Sequence, residues 1–184
     1  MKLHFFDIDE TTFFTEAKIK VLCAESGVKL RELTNAQFNE YEILDFSQFV
    51  CSKFFTETST PNVPIIKIIK ELFAKGENIY FLTARESLDN KEMFLTFMRS
   101  RGLPVGHKDE GLIHILRAGD DEGLNNAEKK KRIVRNIMLG ITFDEVNLYD
   151  DAVSNLNAFS ELQHEFPETE FNAFLVKNER ISKF

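Results

Sequence analysis

An apolar run at residues 3–6 stops abruptly at Asp7-Ile8-Asp9-Glu10-Thr11. Two more groups able to do chemistry follow at the ends of similar segments, Thr83-Ala84-Arg85 and Asp150-Asp151, and a third, Lys129-Lys130-Lys131, leads a helix. Carboxylates packed together repel, and some acquire raised pKa values unless a cation neutralises them. Mg2+ takes oxygen ligands, needs few carboxylates and keeps positions for water or substrate phosphate. If the chain turns directly after the first strand, Asp7 faces the ion, Asp9 offers its backbone carbonyl, and the Asp9 side chain is left for proton transfer. A carboxylate attacking phosphorus gives an aspartyl-phosphate. A Thr83 hydroxyl and a lysine would hold the phosphoryl oxygens as charge develops. Lys130 precedes Ile133 and Val134 by three and four residues and shares their inward face, so it is the first choice of lysine and Lys129 the second.

The elements that must position these groups follow from periodicity. Residues 3–6 read as a buried strand with the acids at its C-terminal end. Residues 17–23 and 28–33 alternate on either side of Glu25-Ser26-Gly27, which predicts a β-hairpin. Residues 34–55 read as a ragged helix with Thr34 as its N-cap, and 56–61 as a polar loop. From residue 62 the pattern is regular. Helices are expected over 64–75, 88–101, 127–139 and 153–164, and strands over 78–83, 112–116, 146–149 and 171–176. Strand alternating with helix predicts an α/β fold with a central parallel sheet and helices on both faces. In such sheets ligands bind at the carboxyl ends of the strands, where the chemical groups fall. A single domain over 1–184 is expected, with about 13–62 as a flap and small cap-like insertion.

Several of these residues also have structural readings. The acidic pair could cap the helix near Val153, and Asn155 could sit near that pair but reads first as a helix-surface residue. Arg85 and Arg117, with Thr11, are candidate substrate contacts, although either arginine could form a surface salt bridge instead. His4 reads as a satisfied core or edge histidine, and His107, His114 and His164 show no metal-ligand spacing.

The 184 residues are 43% hydrophobic and 29% charged, enough for a real core and unlike a disordered or collagenous chain. The net charge of -7 disfavours a bulk nucleic-acid coat, which needs a broad basic surface. Cys23 and Cys51 are too few for a disulfide scaffold and read as reduced thiols of a cytoplasmic protein. The first residues carry no signal-peptide core, and no segment approaches the ~20 apolar residues of a membrane helix.

At its four chemical groups the sequence resembles the haloacid dehalogenase superfamily of phosphotransferases. Phe5-Phe6-Asp7-Ile8-Asp9-Glu10-Thr11 corresponds to DxDxT, Phe81-Leu82-Thr83 to the second motif, a helix-leading lysine to the third, and Leu148-Tyr149-Asp150-Asp151 to the acidic pair. The resemblance runs over roughly residues 3–176. It implies a three-layer Rossmann-like fold with a hairpin flap after the first motif, which residues 17–33 fit. It also implies a Mg2+-dependent phosphatase. Asp7 would be nucleophile and metal ligand, and Asp9 general acid/base and backbone ligand. Thr83 and Lys130 would be phosphoryl contacts, Asp150 a metal ligand, and Asp151 a ligand or its hydrogen-bonding partner. Thr12-Phe13 departs from the Leu that many members carry after the Thr. The stretches Thr83-Ala84-Arg85-Glu86-Ser87 and Leu116-Arg117-Ala118-Gly119-Asp120 are similar, over a short length, to bacteriophage polynucleotide 3′-phosphatase domains. A likeness to phage proteins of this size would place the chain in a host cytoplasm. The small insertion implies an open entrance and a bulky or exposed phosphorylated substrate, a nucleic-acid 3′ end or a nucleotide among them. A non-catalytic binding module on the same fold is the third reading.

Overall fold

The structure is a computed structural model and describes residues 1–33, 44–106, 111–119 and 124–184. A six-stranded sheet carries β1 (Lys2–Phe6), β7 (Asn78–Thr83), β8 (His114–Arg117), β9 (Glu145–Asp150), β10 (Glu170–Lys177) and β11 (Arg180–Lys183) in the order β11-β10-β9-β1-β7-β8. The first five pair in parallel and β11 is antiparallel. Helices α3 (Val63–Ala74) and α4 (Lys91–Ser100) pack on one face. Helices α5 (Asn126–Met138) and α6 (Val153–Ser160) pack on the other. The expected α/β architecture is present. Among the described residues no helix is long and apolar enough to cross a membrane.

Alternation along β1 distributes the core. Phe6 joins Ile65, Ile69, Phe81 and Phe94 on the α3/α4 face, while Leu3 and Phe5 join Leu82, Val134, Leu148 and Phe159 on the α5/α6 face. From β1 the chain builds β7 and β8 on one side, then crosses back to build β9 and β10 on the other. The strand order therefore reverses at β1, and a crevice is expected beyond its carboxyl end. His4 and Asn147 are opposed in the register of β1 and β9, and Asn147 in turn opposes Asn172 on β10. His4 is buried, but among the described residues neither ring nitrogen has a hydrogen-bond partner, in contrast to the satisfied histidine expected.

Element ends differ from expectation for local reasons. Helix α4 begins at Lys91 rather than 88 because Asn90 caps it, its side chain accepting from Met93 N at 3.0 Å. Asp89 is drawn away to accept from Ser52 N at 2.7 Å. The α6 helix passes into a 3₁₀ turn over Glu161–His164. Strand β11 has no counterpart among the sequence expectations. Its two-residue turn, Asn178-Glu179, has positive φ at both positions (48° and 63°), the geometry that Asn-Gly usually serves.

The insertion is bounded by a neck in which β2 (Phe13–Phe14) pairs with β6 (Thr60–Pro61). Within it the predicted hairpin is present as β3 (Ile19–Leu22) and β4 (Lys29–Leu33). The ragged helix expected over 34–55 is corrected: 34–43, with Thr34, lie outside the described residues, and the rest divides. Leu44–Asp45 forms β5 on β3, followed by α1 (Ser47–Val50) and α2 (Ser52–Thr58). The helices part at Cys51, an extended residue whose sulfur accepts from Phe54 N and so caps α2. The loop expected over 56–61 starts late, since α2 continues to Thr58 with the Thr56 and Thr58 hydroxyls bonded back to Lys53 and Phe54 carbonyls. Ala17, Ile19, Val21, Leu33 and Phe49 make a small core of its own.

Gly119 lets the loops after β7 and β8 touch. A Cβ there would lie 2.7 Å from both Ala84 O and Glu86 N, so backbone would have to move. We expect Gly119→Ala to lower stability by about 1–3 kcal/mol in urea denaturation. An unchanged midpoint would show that the two loops are free to separate.

Candidate active site

The strand period of two turns Asp7 toward α5. Leu3 and Phe5 face that helix layer, and Asp7 continues their row, its amide bonded to Tyr149 O at 2.9 Å. On β9, Val146 and Leu148 face the same layer and Asp150 continues theirs. Lys130 stands one helical turn before Val134 on the buried face of α5. Its ammonium donates to Asp7 Oδ1 at 2.7 Å and to Asp150 Oδ2 at 2.8 Å. All three are buried. Lys131, by contrast, pairs with Glu128 and Glu161 nearer the surface, and Lys129 is half-buried.

Asp150 is further held by Ala152 N at 2.9 Å and by Asn155 Nδ2, at 2.9 and 3.0 Å from its two oxygens. The surface reading of Asn155 is thus corrected: it is buried, and its place five residues after Asp150 at the start of α6 was the signal available. Asp7, Asp150 and Asp151 each offer an oxygen within 4.8 Å of the others. Burial pushes Asp7 well above the usual carboxylate range; Lys130 opposes this, and the neighbouring aspartates add to it. Asp151 is pushed up to about 7, by burial first and Asp150 second. Burial works to lower Lys130, but Asp150 and Asp7 outweigh it and hold the ammonium above its ordinary value.

After Asp7 the chain turns at once. Thr12 N and Phe13 N donate to Ile8 O, the Thr12 hydroxyl to Asp7 O, and Glu10 takes a left-handed φ of 59°. The turn carries Asp9 away from Lys130 to Arg85, whose Nε and Nη2 donate to its two oxygens at 2.8 and 2.7 Å. Arg85, expected as a substrate contact, is buried here. Thr83 ends β7 beside β1, and its hydroxyl oxygen accepts from Arg85 N at 3.1 Å. Thr11 is fully buried; its hydroxyl has no hydrogen-bond partner among the described residues, and its carbonyl accepts from Asn62 Nδ2 at 2.9 Å. Arg117 is exposed at the end of β8, two strands from β1.

The raised Asp7 and Asp151 pKa values each contribute to the pH dependence of the metal-free chain. A group whose folded pKa exceeds its unfolded one adds stability below the unfolded value, lost as pH rises through the folded value. With chelator present, the urea midpoint should therefore fall between about pH 4 and pH 7 in the share due to Asp151. Asp151→Asn should flatten that slope; an unaltered slope would show that Asp151 is not buried against Asp150.

No protein-family model, curated protein or solved structure matches the chain.

Proposed function

We propose that the chain is a Mg2+-dependent phosphomonoester hydrolase that works through an aspartyl-phosphate on Asp7. The observation that carries this reading is the meeting of Asp7, Asp150, Asp151 and Lys130 beyond the carboxyl end of the strand where the sheet order reverses. Three carboxylates there face one ammonium. The donors are all oxygen, and two of them have raised pKa values, which is the condition a hard divalent cation relieves. Asp7, Asp150 and Asp151 would hold Mg2+, with the Asp9 carbonyl as a further candidate. When bound, it would neutralise charge on the phosphoryl group.

The chain's own residues divide the work. An Asp7 oxygen attacks phosphorus and the P–O bond to the leaving group breaks, while Asp9 delivers the proton that the departing alkoxide needs. Water then attacks the same phosphorus, Asp9 takes its proton, and the P–O bond of the Asp7 acyl phosphate breaks to release phosphate and restore the carboxylate. Lys130 fixes the Asp7 carboxylate and balances its charge. Thr83, at the adjacent strand end, is the candidate hydroxyl for a phosphoryl oxygen.

The proposed substrate is bulky or exposed, since the insertion between β2 and β6 is too small to make a large lid over the alternating core. A panel of aryl, sugar, nucleotide and 3′-phosphorylated DNA and RNA esters, with Mg2+ or chelator, tests the reading. Chelator should abolish hydrolysis. Asp7→Asn should lower it at least about a thousandfold, and Asp9→Asn by about 10²–10⁴. Full Mg2+-dependent turnover by Asp7→Asn would overturn the nucleophile. Preference for a 3′-phosphorylated oligonucleotide over mononucleotides would narrow the substrate to nucleic-acid ends.

A further inference from the structure

The Arg85 side chain is buried, and its polar contacts are internal. Its fork spans both oxygens of Asp9, and its remaining Nη1 donates to Phe49 O in α1. The guanidinium carbon lies 4.6 Å from the centroid of the Phe55 ring, 5.4 Å from Phe49 and 5.9 Å from Phe94. Its side chain is 2% exposed, against 10% for Asp9. An arriving molecule therefore meets the carboxylate and not the arginine. A fork on a carboxylate uses two of about four lone-pair positions, so the outer ones stay open to a proton.

The same arginine reaches into the insertion. Val50 O accepts from Asp89 N at 3.2 Å, Asp89 accepts from Ser52 N, and Asn90 N donates to the Ser52 hydroxyl. The insertion helices are thus bonded to the loop that follows Thr83, and Arg85 sits where that junction meets Asp9.

We infer that Arg85 is a positioning residue: it aims the Asp9 carboxylate and ties that aim to the seating of α1 and α2, rather than binding the substrate phosphate. The inference rests on the phosphatase reading above. An Asp9 held in place matters most where the leaving group needs a proton. Arg85→Lys keeps the charge but loses the fork and the planar stack.

The test measures kcat/KM, which reports steps through leaving-group departure, for p-nitrophenyl phosphate and an alkyl phosphate. Arg85→Lys should slow the alkyl ester at least about tenfold more than the aryl ester. It should leave the inhibition constant of inorganic phosphate unchanged. In an Asp9→Asn background the same change should cost little more on the aryl ester, since it acts through Asp9. Phe55→Leu, which removes the ring beneath the guanidinium, should give a smaller loss with the same ester selectivity, and it serves if Arg85→Lys fails to fold. Equal losses on both esters with weaker phosphate inhibition would overturn the positioning role and make Arg85 a phosphate ligand, with the phosphatase reading intact. A wild-type chain inactive on both esters would overturn that reading and this inference together.

Discussion

The Lys130 ammonium, enclosed between Asp7 and Asp150, is the interaction on which the rest depends. Removing three charges from water costs several kcal/mol per ion even after relaxation, and mutual attraction offsets this only when geometry and hydrogen bonding are good. The geometry comes from three elements distant in sequence. β1 and β9 must be adjacent and in register, and α5 must dock with Lys130 inward. A one-residue slip of β9 would turn Asp150 to the opposite face and leave the lysine with one partner. Asn155 and the Ala152 amide satisfy the lone pairs of Asp150 that Lys130 leaves free.

Such a centre is a poor device for stability alone, since a well-packed apolar cluster of equal volume often does as well or better. Its position fits the use proposed for it. It lies at the edge of the core, where the strand order reverses and the loops after β1 and β9 diverge. Asp151, next in the chain, is only half-buried, so the cluster grades from an enclosed ion pair to a more accessible carboxylate.

Much of this was legible in the sequence because it depends on short periods. The strand over residues 78–83 was read with the bounds it has, and Lys130 was singled out by its spacing from Ile133 and Val134. Contacts fixed by tertiary structure were not legible. Nothing local tells that Arg85 will turn onto Asp9, 76 residues earlier, rather than outward to a ligand. Asn155 looked like a surface residue because helix propensity says nothing of an acidic neighbour folded back from the preceding strand. Strand β11 escaped because Arg-Ile-Ser-Lys offers one apolar residue and its turn lacks a glycine. In the insertion, helix-like spacing of aromatics misled because Phe49 and Phe54 pack under a hairpin instead of on one helix face.

Asp7 and Asp9 are held apart by the turn between them. Two carboxylates two positions apart at a strand end would ordinarily share one environment and one counter-charge. Here the turn at Ile8, locked by two amides on its carbonyl, sends them to different partners. Asp7 faces an ammonium that also serves Asp150, in a cluster with carboxylate oxygens to spare. Asp9 has a guanidinium to itself, backed by aromatic rings and anchored to the insertion. Chemistry that needs one carboxylate to attack and the other to move protons requires that the two not be interchangeable. The tight turn and the two separate cations make them distinct, and the second cation brings the insertion into the same arrangement.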